Sequence, residues 1–506
     1  MRPTVRAASF RSAALPAGDR LQVNSHLRAE RDELNMAEAK PSDCIYCASA
    51  VGSAEHTILA ALGGLRTDRG ILCTPCNNRF GAVIDKALAE DMKPINAVLG
   101  VMNGRTRAPI AATVEDAATG RNYVITAGRR IEHPEVVVVS ESMQAGIRQL
   151  NAVASTQKQV DDLLHRLRQD AGPVTVMGRE TVPLLFASPP TAMWSFGGTD
   201  TFRAIARLAV NILATFRPAL ARGSWLVPLK NYMCKGGDDG PWVSYAYSDA
   251  SEIPGRFDFA HRFVLVLDAE SGEVRAHVSL LGIIELSVRL GAVSMEKTET
   301  IVYEMDVLAQ SPPDDIAVTI SDGFNFTFPS GPTPDPSMFV PKRLARVLAK
   351  RKDRIWSQDA PSLLAAINAA REVDPADRHE SIVDALAGQQ QRLLNLVSFF
   401  ATSVRRHLVQ TYGEDAGSPM GDAFGVLAAP DGSSRTGVTE LTYVHADMLR
   451  YVMADHLLAV LNERAIEMDE LRLLLEGVRG AEIVGRFMVE QVNRAYSAID
   501  GEVGDG

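Results

Sequence analysis

The spacing of apolar positions changes along this chain, and each change predicts an element type. Phe80, Val83, Ile84 and Leu88 recur at helical intervals and predict one helix from Asn78 to Leu99. Further on, the branched run Glu135 to Val139 and the alternation His277 to Leu281 read as strands, while Val160, Leu163, Leu164 and Leu167 mark an amphipathic helix. Phe263 to Leu267 and Val274 to Leu281 pair as a predicted hairpin, because Glu270-Ser271-Gly272 between them is good turn chemistry. Toward the C-terminus the period turns helical again: Leu449, Val452, Met453, Leu457, Val460 and Leu461 fall on one face, as do Leu394, Val397 and Phe400.

This patterning divides the chain. Residues 41–105 hold a cysteine-rich segment, residues 106–328 a mixed α+β domain, and residues 339–500 a mainly helical domain. Between the last two, residues 329–338 contain four prolines, each of which removes a donor and restricts its predecessor, so a linker is expected there. Residues 1–40 carry scattered arginines without the apolar core of a secretory signal and are expected to form a disordered tail; Met36 is an alternative start. The fold class is therefore α+β and multidomain, with no internal repeat. No apolar run approaches the roughly 18 residues of a membrane span, so a soluble, cytoplasmic protein without a membrane partner is expected.

Charge narrows the partners. A net charge of -10 over 506 residues argues against a protein that coats nucleic acid through a broadly basic surface. Any polyanion contact must be local. The cluster Lys342, Arg343, Arg346, Lys350, Arg351, Lys352 and Arg354, with Trp356 available to stack, offers one such contact; a solvated charged face is the plainer reading.

Four of the five cysteines lie between positions 44 and 76, which is a metal pattern rather than a disulfide framework. Cys44-Ile45-Tyr46-Cys47 and Cys73-Thr74-Pro75-Cys76 are two CxxC knuckles with 25 residues between them, so both pairs can converge tetrahedrally on Zn2+. A thioredoxin-like redox pair would need one CxxC opening a helix in a βαβ unit. Cys234 reads as a small core residue.

Between and after the knuckles lie Glu55-His56, Ala61-Leu62-Gly63-Gly64, and then Asn77-Asn78-Arg79-Phe80-Gly81 with Ile84-Asp85 following. This segment, roughly Cys44 to Leu88, resembles the HNH endonuclease family, in the branch whose ββα-metal module is bracketed by two CxxC pairs and ends in CNxxFG. The resemblance implies a structural zinc on Cys44, Cys47, Cys73 and Cys76. It implies a catalytic Mg2+ or Mn2+ held by Glu55 and Asn77, with His56 as general base. It also implies a DNA-cutting enzyme of bacterial defence or a mobile element. The family's middle asparagine falls at Asp68, which could hold the histidine loop by hydrogen bonding or be an ordinary exposed aspartate. Leu59 stands where many relatives carry proline.

The chemistry of these side chains fits the same casting. A hard cation on oxygen ligands can neutralise charge on a scissile phosphate, and an imidazole with an ordinary pKa near ~6.5 can take a proton from water. Taken singly, Glu55 is as well read as a solvated loop carboxylate, His56 as a packed histidine and Asn77 as a helix N-cap. A different class, a zinc-organised module that binds nucleic acid or protein without cutting, satisfies the cysteines equally. Gly63 and Gly64 are expected to reverse the backbone between two strands. A duplex has two strands and one module has one centre, so double-strand cleavage favours a homodimer. His445 and Asp455-His456 lie too far along a helix from each other to share a cation.

Overall fold

The computed structural model describes residues 4–5, 43–116, 120–128, 130–144, 147–178, 194–237, 242–247, 255–309, 315–323, 326, 328, 335–396, 438–487 and 490. The protein is a mixed α/β molecule in two compact units. The first comprises residues 1–112, 125–130 and 193–351; the second comprises 113–124, 131–192 and 352–506.

Along the chain come β1 (Thr4–Val5), β2 (Glu55–His56), β3 (Thr67–Asp68), α1 (Thr74–Ala82), α2 (Ile84–Leu99), β4 (Ala111–Asp116), β5 (Arg121–Thr126) and β6 (Arg130–Glu132). Next are β7 (Val137–Gln144), β8 (Ile147–Val153), α3 (Gln157–Ala171), β9 (Trp194–Ser195), α4 (Thr199–Phe216), α5 (Pro218–Ala221), α6 (Val227–Lys235) and β10 (Val243–Tyr245). Then follow β11 (Ala260–Leu267), β12 (Glu273–Leu280), β13 (Ile284–Ala292), β14 (Glu299–Asp306), β15 (Ile316–Asp322), α7 (Pro336–Ala369), α8 (Arg378–Ala385), α9 (Val438–Glu463) and α10 (Met468–Leu475).

The first unit is built on an antiparallel sheet of order β10-β13-β12-β11-β14-β15. Its β11–β12 hairpin has the expected register, with Phe263 opposite Val278 and Leu267 opposite Val274. Asp268 closes the turn by accepting from the Glu270 amide and the Ser271 hydroxyl, and Gly272 takes the positive φ of +69° the reversal requires. One face of this sheet and the apolar helix α4 share a single core with the cysteine segment, where Leu62, Leu72, Phe80, Ile84 and Leu88 are buried.

The single helix expected from Asn78 to Leu99 is instead two. Val83 leaves helical geometry at φ -121°, ψ -79°, so α1 ends at Ala82 and α2 starts at Ile84. Phe80, Ile84 and Leu88 are buried as the periodicity predicts, but Val83 is 47% exposed and is not part of the stripe. The break re-aims the chain: α1 serves the cysteines while α2 packs along α4.

His261, on β11, is fully buried and neither ring nitrogen has a hydrogen-bond partner. Burial pushes its imidazole down to about 4, the Leu62 carbonyl opposing this from just outside hydrogen-bonding geometry. An unfolded histidine titrates near ~6.5. Between these values the unfolded chain takes up a proton that the folded core refuses, so stability is lost as pH falls through this window. The loss is about 3 kcal/mol once pH is below 4. Urea titrations of His261→Leu from pH 7 to pH 4.5 should show a smaller acid loss than wild type; equal slopes would contradict this.

In the second unit, α3 begins with a complete capping box between Thr156 and Gln159, and its Val160, Leu163, Leu164 and Leu167 stripe is half-buried. The strand expected from Glu135 begins at Val137. The stripe on α9 holds: Leu449, Met453, Leu457 and Leu461 are buried with Leu394. Val397 and Phe400 lie outside the described residues, as do most of residues 1–40, of which only Thr4 and Val5 are described, paired with β9. The proline-rich stretch is outside the described residues from 329 to 334, and the chain enters α7 at Pro336, within the segment expected as linker. Proline is tolerated there because a first-turn amide has no intrahelical partner.

The basic cluster on α7 is not a free phosphate-gripping stripe. Arg343 is buried against Glu285, Lys350 pairs with Asp258, and Lys352 pairs with Glu476. Trp356 is 4% exposed with the Arg392 guanidinium over its ring, so it is not available to stack on a base. Among the described residues no helix is long and apolar enough to cross a membrane.

Candidate functional site

The two knuckles converge. The sulfurs of Cys44, Cys47, Cys73 and Cys76 all lie within 4.8 Å of one another, so the four cysteines could hold a zinc ion. Cys47 and Cys73 approach to 3.4 Å between Sγ atoms, far longer than the ~2.05 Å of a disulfide. In the first knuckle the Cys44 amide donates to the Ser49 carbonyl, and Ala48 adopts φ +59° to close the turn. The second knuckle is the start of α1: Cys73 is its N-cap, Pro75 occupies its first turn and Cys76 faces inward.

Burial pushes the Cys73 and Cys76 thiols up, whereas hydrogen bonds from Ser49 pull the exposed Cys47 down to about 6. Four crowded sulfurs of which three are buried cannot all be thiolates beside one another without a cation, and a bound soft cation supplies that charge.

Arg222, just past α5, ties both knuckle loops together. Its Nε donates to the Asp43 carbonyl, and its Nη2 donates to the carbonyls of Asp43 and Gly70 at 2.7 and 2.8 Å. The sequence carried no signal for this contact, which joins positions 179 and 152 residues apart.

β2 and β3 pair antiparallel, Glu55 opposite Asp68 and His56 opposite Thr67. With α1 following, the chain order is strand, strand, helix. Glu55 and His56 are consecutive on one strand and so leave it on opposite sides.

Glu55 faces α4, where Arg207 donates to its Oε1 and Asn211 donates to the same oxygen at 3.1 Å. Arg207 also pairs with Asp85 at the start of α2, and its guanidinium lies 4.9 Å from the centroid of Phe80. Burial pushes Glu55 up to about 7 against the pull of Arg207, and burial likewise raises Asp85. Although burial alone pulls Arg207 down, Asp85 and Glu55 hold it above its ordinary value. The alternative of a solvated loop carboxylate does not hold for Glu55, which is 3% exposed. Its Oε2 accepts no hydrogen bond among the described residues.

His56 is buried on the other side. Its Nδ1 has no hydrogen-bond partner, while the Gly64 carbonyl lies at the ring as an acceptor. Burial, reinforced by the charge of Arg105, lowers its pKa and keeps the imidazole neutral.

Asn77 donates from Nδ2 to Ser53 Oγ at 2.8 Å, at the entry to β2. That bond leaves Oδ1 without a partner among the described residues. No hydrogen bond joins Asn77 to Glu55 or His56 among the described residues. Nor is it a helix N-cap: Cys73 holds that position. Asp68 is 8% exposed and accepts from the Gly70 amide at 2.7 Å, so it orders the loop into the second knuckle rather than standing in solvent.

The two glycines serve different needs. Gly63 takes φ +88° at the end of a short helical turn, as expected. Gly64 has no such backbone requirement; a Cβ there would meet the Ile58 carbonyl oxygen at 1.8 Å, so it is needed for close approach.

Arg207 and Asn211 were missed in the sequence, although a signal existed. They stand four residues apart within the apolar run Ala204 to Ala214, where two polar groups on one helix face mark a buried polar contact. Cys234 is half-buried at the edge of the core it packs against and accepts from Arg79 at 3.1 Å.

No family model, no curated protein and no solved structure matches this chain.

Proposed function

We propose that the cysteine segment is a zinc-stapled ββα module of HNH type that hydrolyses a phosphodiester, in DNA, in a protein of bacterial defence or a mobile element. One observation carries this reading. A single scaffold of β2, β3 and α1 carries a neutral imidazole, His56, and two side-chain oxygens, Glu55 Oε2 and Asn77 Oδ1, that accept no hydrogen bond among the described residues.

Cys44, Cys47, Cys73 and Cys76 would hold the structural Zn2+. Glu55 and Asn77 would supply oxygen ligands to Mg2+ or Mn2+, whose charge offsets that developing on the phosphate. Arg207 and Asn211 fix one Glu55 oxygen and so aim the other, as carboxylate ligands are commonly oriented by hydrogen bonds from outside. Arg207 also favours the ionised carboxylate against burial. His56 would accept the proton of the attacking water and needs no prior deprotonation at neutral pH.

A second reading is favoured by one specific feature. Arg207 already supplies Glu55 with a fixed positive charge, and Glu55 and His56 leave β2 on opposite sides. In that reading the cysteine cage organises a module that binds nucleic acid or protein without cutting. Incubation of supercoiled plasmid with the purified full chain and Mg2+ or Mn2+ separates the two: nicking supports the hydrolase, and binding without nicking supports the second reading.

A further inference from the structure

The loop after α2 lies directly on the segment that contacts His56. The Gly104 amide donates to the Ala60 carbonyl at 2.8 Å, and a Cβ on Gly104 would meet the Gly64 carbonyl oxygen at 1.7 Å. Gly64 in turn lies against the Ile58 carbonyl, two residues past His56. The loop therefore packs on the segment that follows the base.

Its shape is set without the arginine that follows. Asn103 Oδ1 accepts from the amides of Arg105 and Thr106 at 3.0 and 3.1 Å, and the Asn103 amide donates to the Ala108 carbonyl at 2.8 Å. Arg105 itself is exposed, and its guanidinium has no ion pair or hydrogen bond among the described residues. A rigid loop thus carries an uncommitted cation to the neighbourhood of an uncommitted base.

Resting on the hydrolase reading above, we propose that Arg105 binds the scissile phosphate of the DNA strand and holds it beside His56. Guanidinium is suited to this because its planar fork donates two parallel hydrogen bonds to phosphate oxygens. A net charge of -10 makes such a local contact matter more, because the chain as a whole repels a polyanion.

The test uses the full chain in four forms: wild type, Arg105→Ala, Arg105→Lys and, as a control for lost surface charge, Lys86→Ala at an exposed position on α2. Binding of a fluorescent duplex oligonucleotide without added Mg2+ or Mn2+ is read across a salt series, and plasmid nicking is read with Mn2+. Arg105→Ala should weaken binding roughly 10- to 100-fold, the range for a charged hydrogen-bonding group. It should reduce the slope of log affinity against log salt by about 0.9, the value for one phosphate contact. Its nicking rate at saturating plasmid should also fall, Arg105→Lys should recover part of each loss, and Lys86→Ala should match wild type.

Wild-type binding and nicking by Arg105→Ala would overturn the proposal, as would an equal loss in Lys86→Ala. Absence of nicking by wild type would instead sink the hydrolase reading and, with it, the scissile position. The binding series without added Mg2+ or Mn2+ would still report whether Arg105 contacts a phosphate, so the two failures are distinguishable.

Discussion

Cys73→Ser should cost the protein its metal and, with it, the amino-terminal part of the first unit. Elemental analysis of wild type should give one zinc per chain, and the variant should lose it. Cys73 is the side chain at which two requirements meet: it is a buried sulfur of the four-cysteine cluster and the N-cap from which α1 starts. Structural zinc sites couple on the order of 10 to 16 kcal/mol to folding, more than the whole net stability of many domains. The cysteine segment shares its core with α4 and the large sheet, so the loss should spread beyond the knuckles. A strong zinc chelator should reproduce the effect in wild type and leave the variant unchanged. A variant whose Tm stays within a few degrees of wild type would show that the sulfur cluster does not staple the fold.

Arg207→Leu should be nearly as damaging, for a different reason. Arg207 is fully buried and pairs with Glu55 and Asp85 together. Removing the cation leaves two carboxylates in low dielectric with no counter-charge, and breaking a buried pair by deleting one partner costs about 3 to 5 kcal/mol. The loss arises from stranded charges rather than lost packing, since leucine fills much of the same space. A triple variant that also carries Glu55→Gln and Asp85→Asn should therefore regain most of the stability in urea titrations. If Arg207→Leu costs under about 1 kcal/mol, or the triple variant is no more stable, the ion cluster is not what joins α4 to the cysteine segment.

Much of this architecture was readable from spacing. The CxxC pairs converge as their interval implied, and the β11–β12 hairpin follows from turn residues flanked by alternating apolar positions. Periodicity placed Phe80, Ile84 and Leu88 in the core yet missed the break at Val83, because three correctly buried positions fit one helix or two equally well.

The long-range polar contacts were opaque for a related reason. Glu55 pairs with Arg207 across 152 residues, and nothing local to Glu55 distinguishes a buried carboxylate from a solvated one. The acidic partners of Arg343 and Lys350 and the apolar neighbours of Trp356 were hidden likewise, since they lie on distant segments. Gly64 looked like a turn residue, whereas the constraint on it is the Ile58 carbonyl, a tertiary contact that no dipeptide pattern encodes.

The most direct test of the central claim is single-turnover nicking of supercoiled plasmid with Mn2+, comparing wild type with His56→Ala after both have been shown to retain zinc and Tm. A general base contributes about 10² to 10⁴ in rate, so the variant should slow by that factor while plasmid binding without added Mg2+ or Mn2+ is unchanged. Equal nicking by the two proteins would contradict the account, because the water would then be losing its proton to something other than the imidazole on β2.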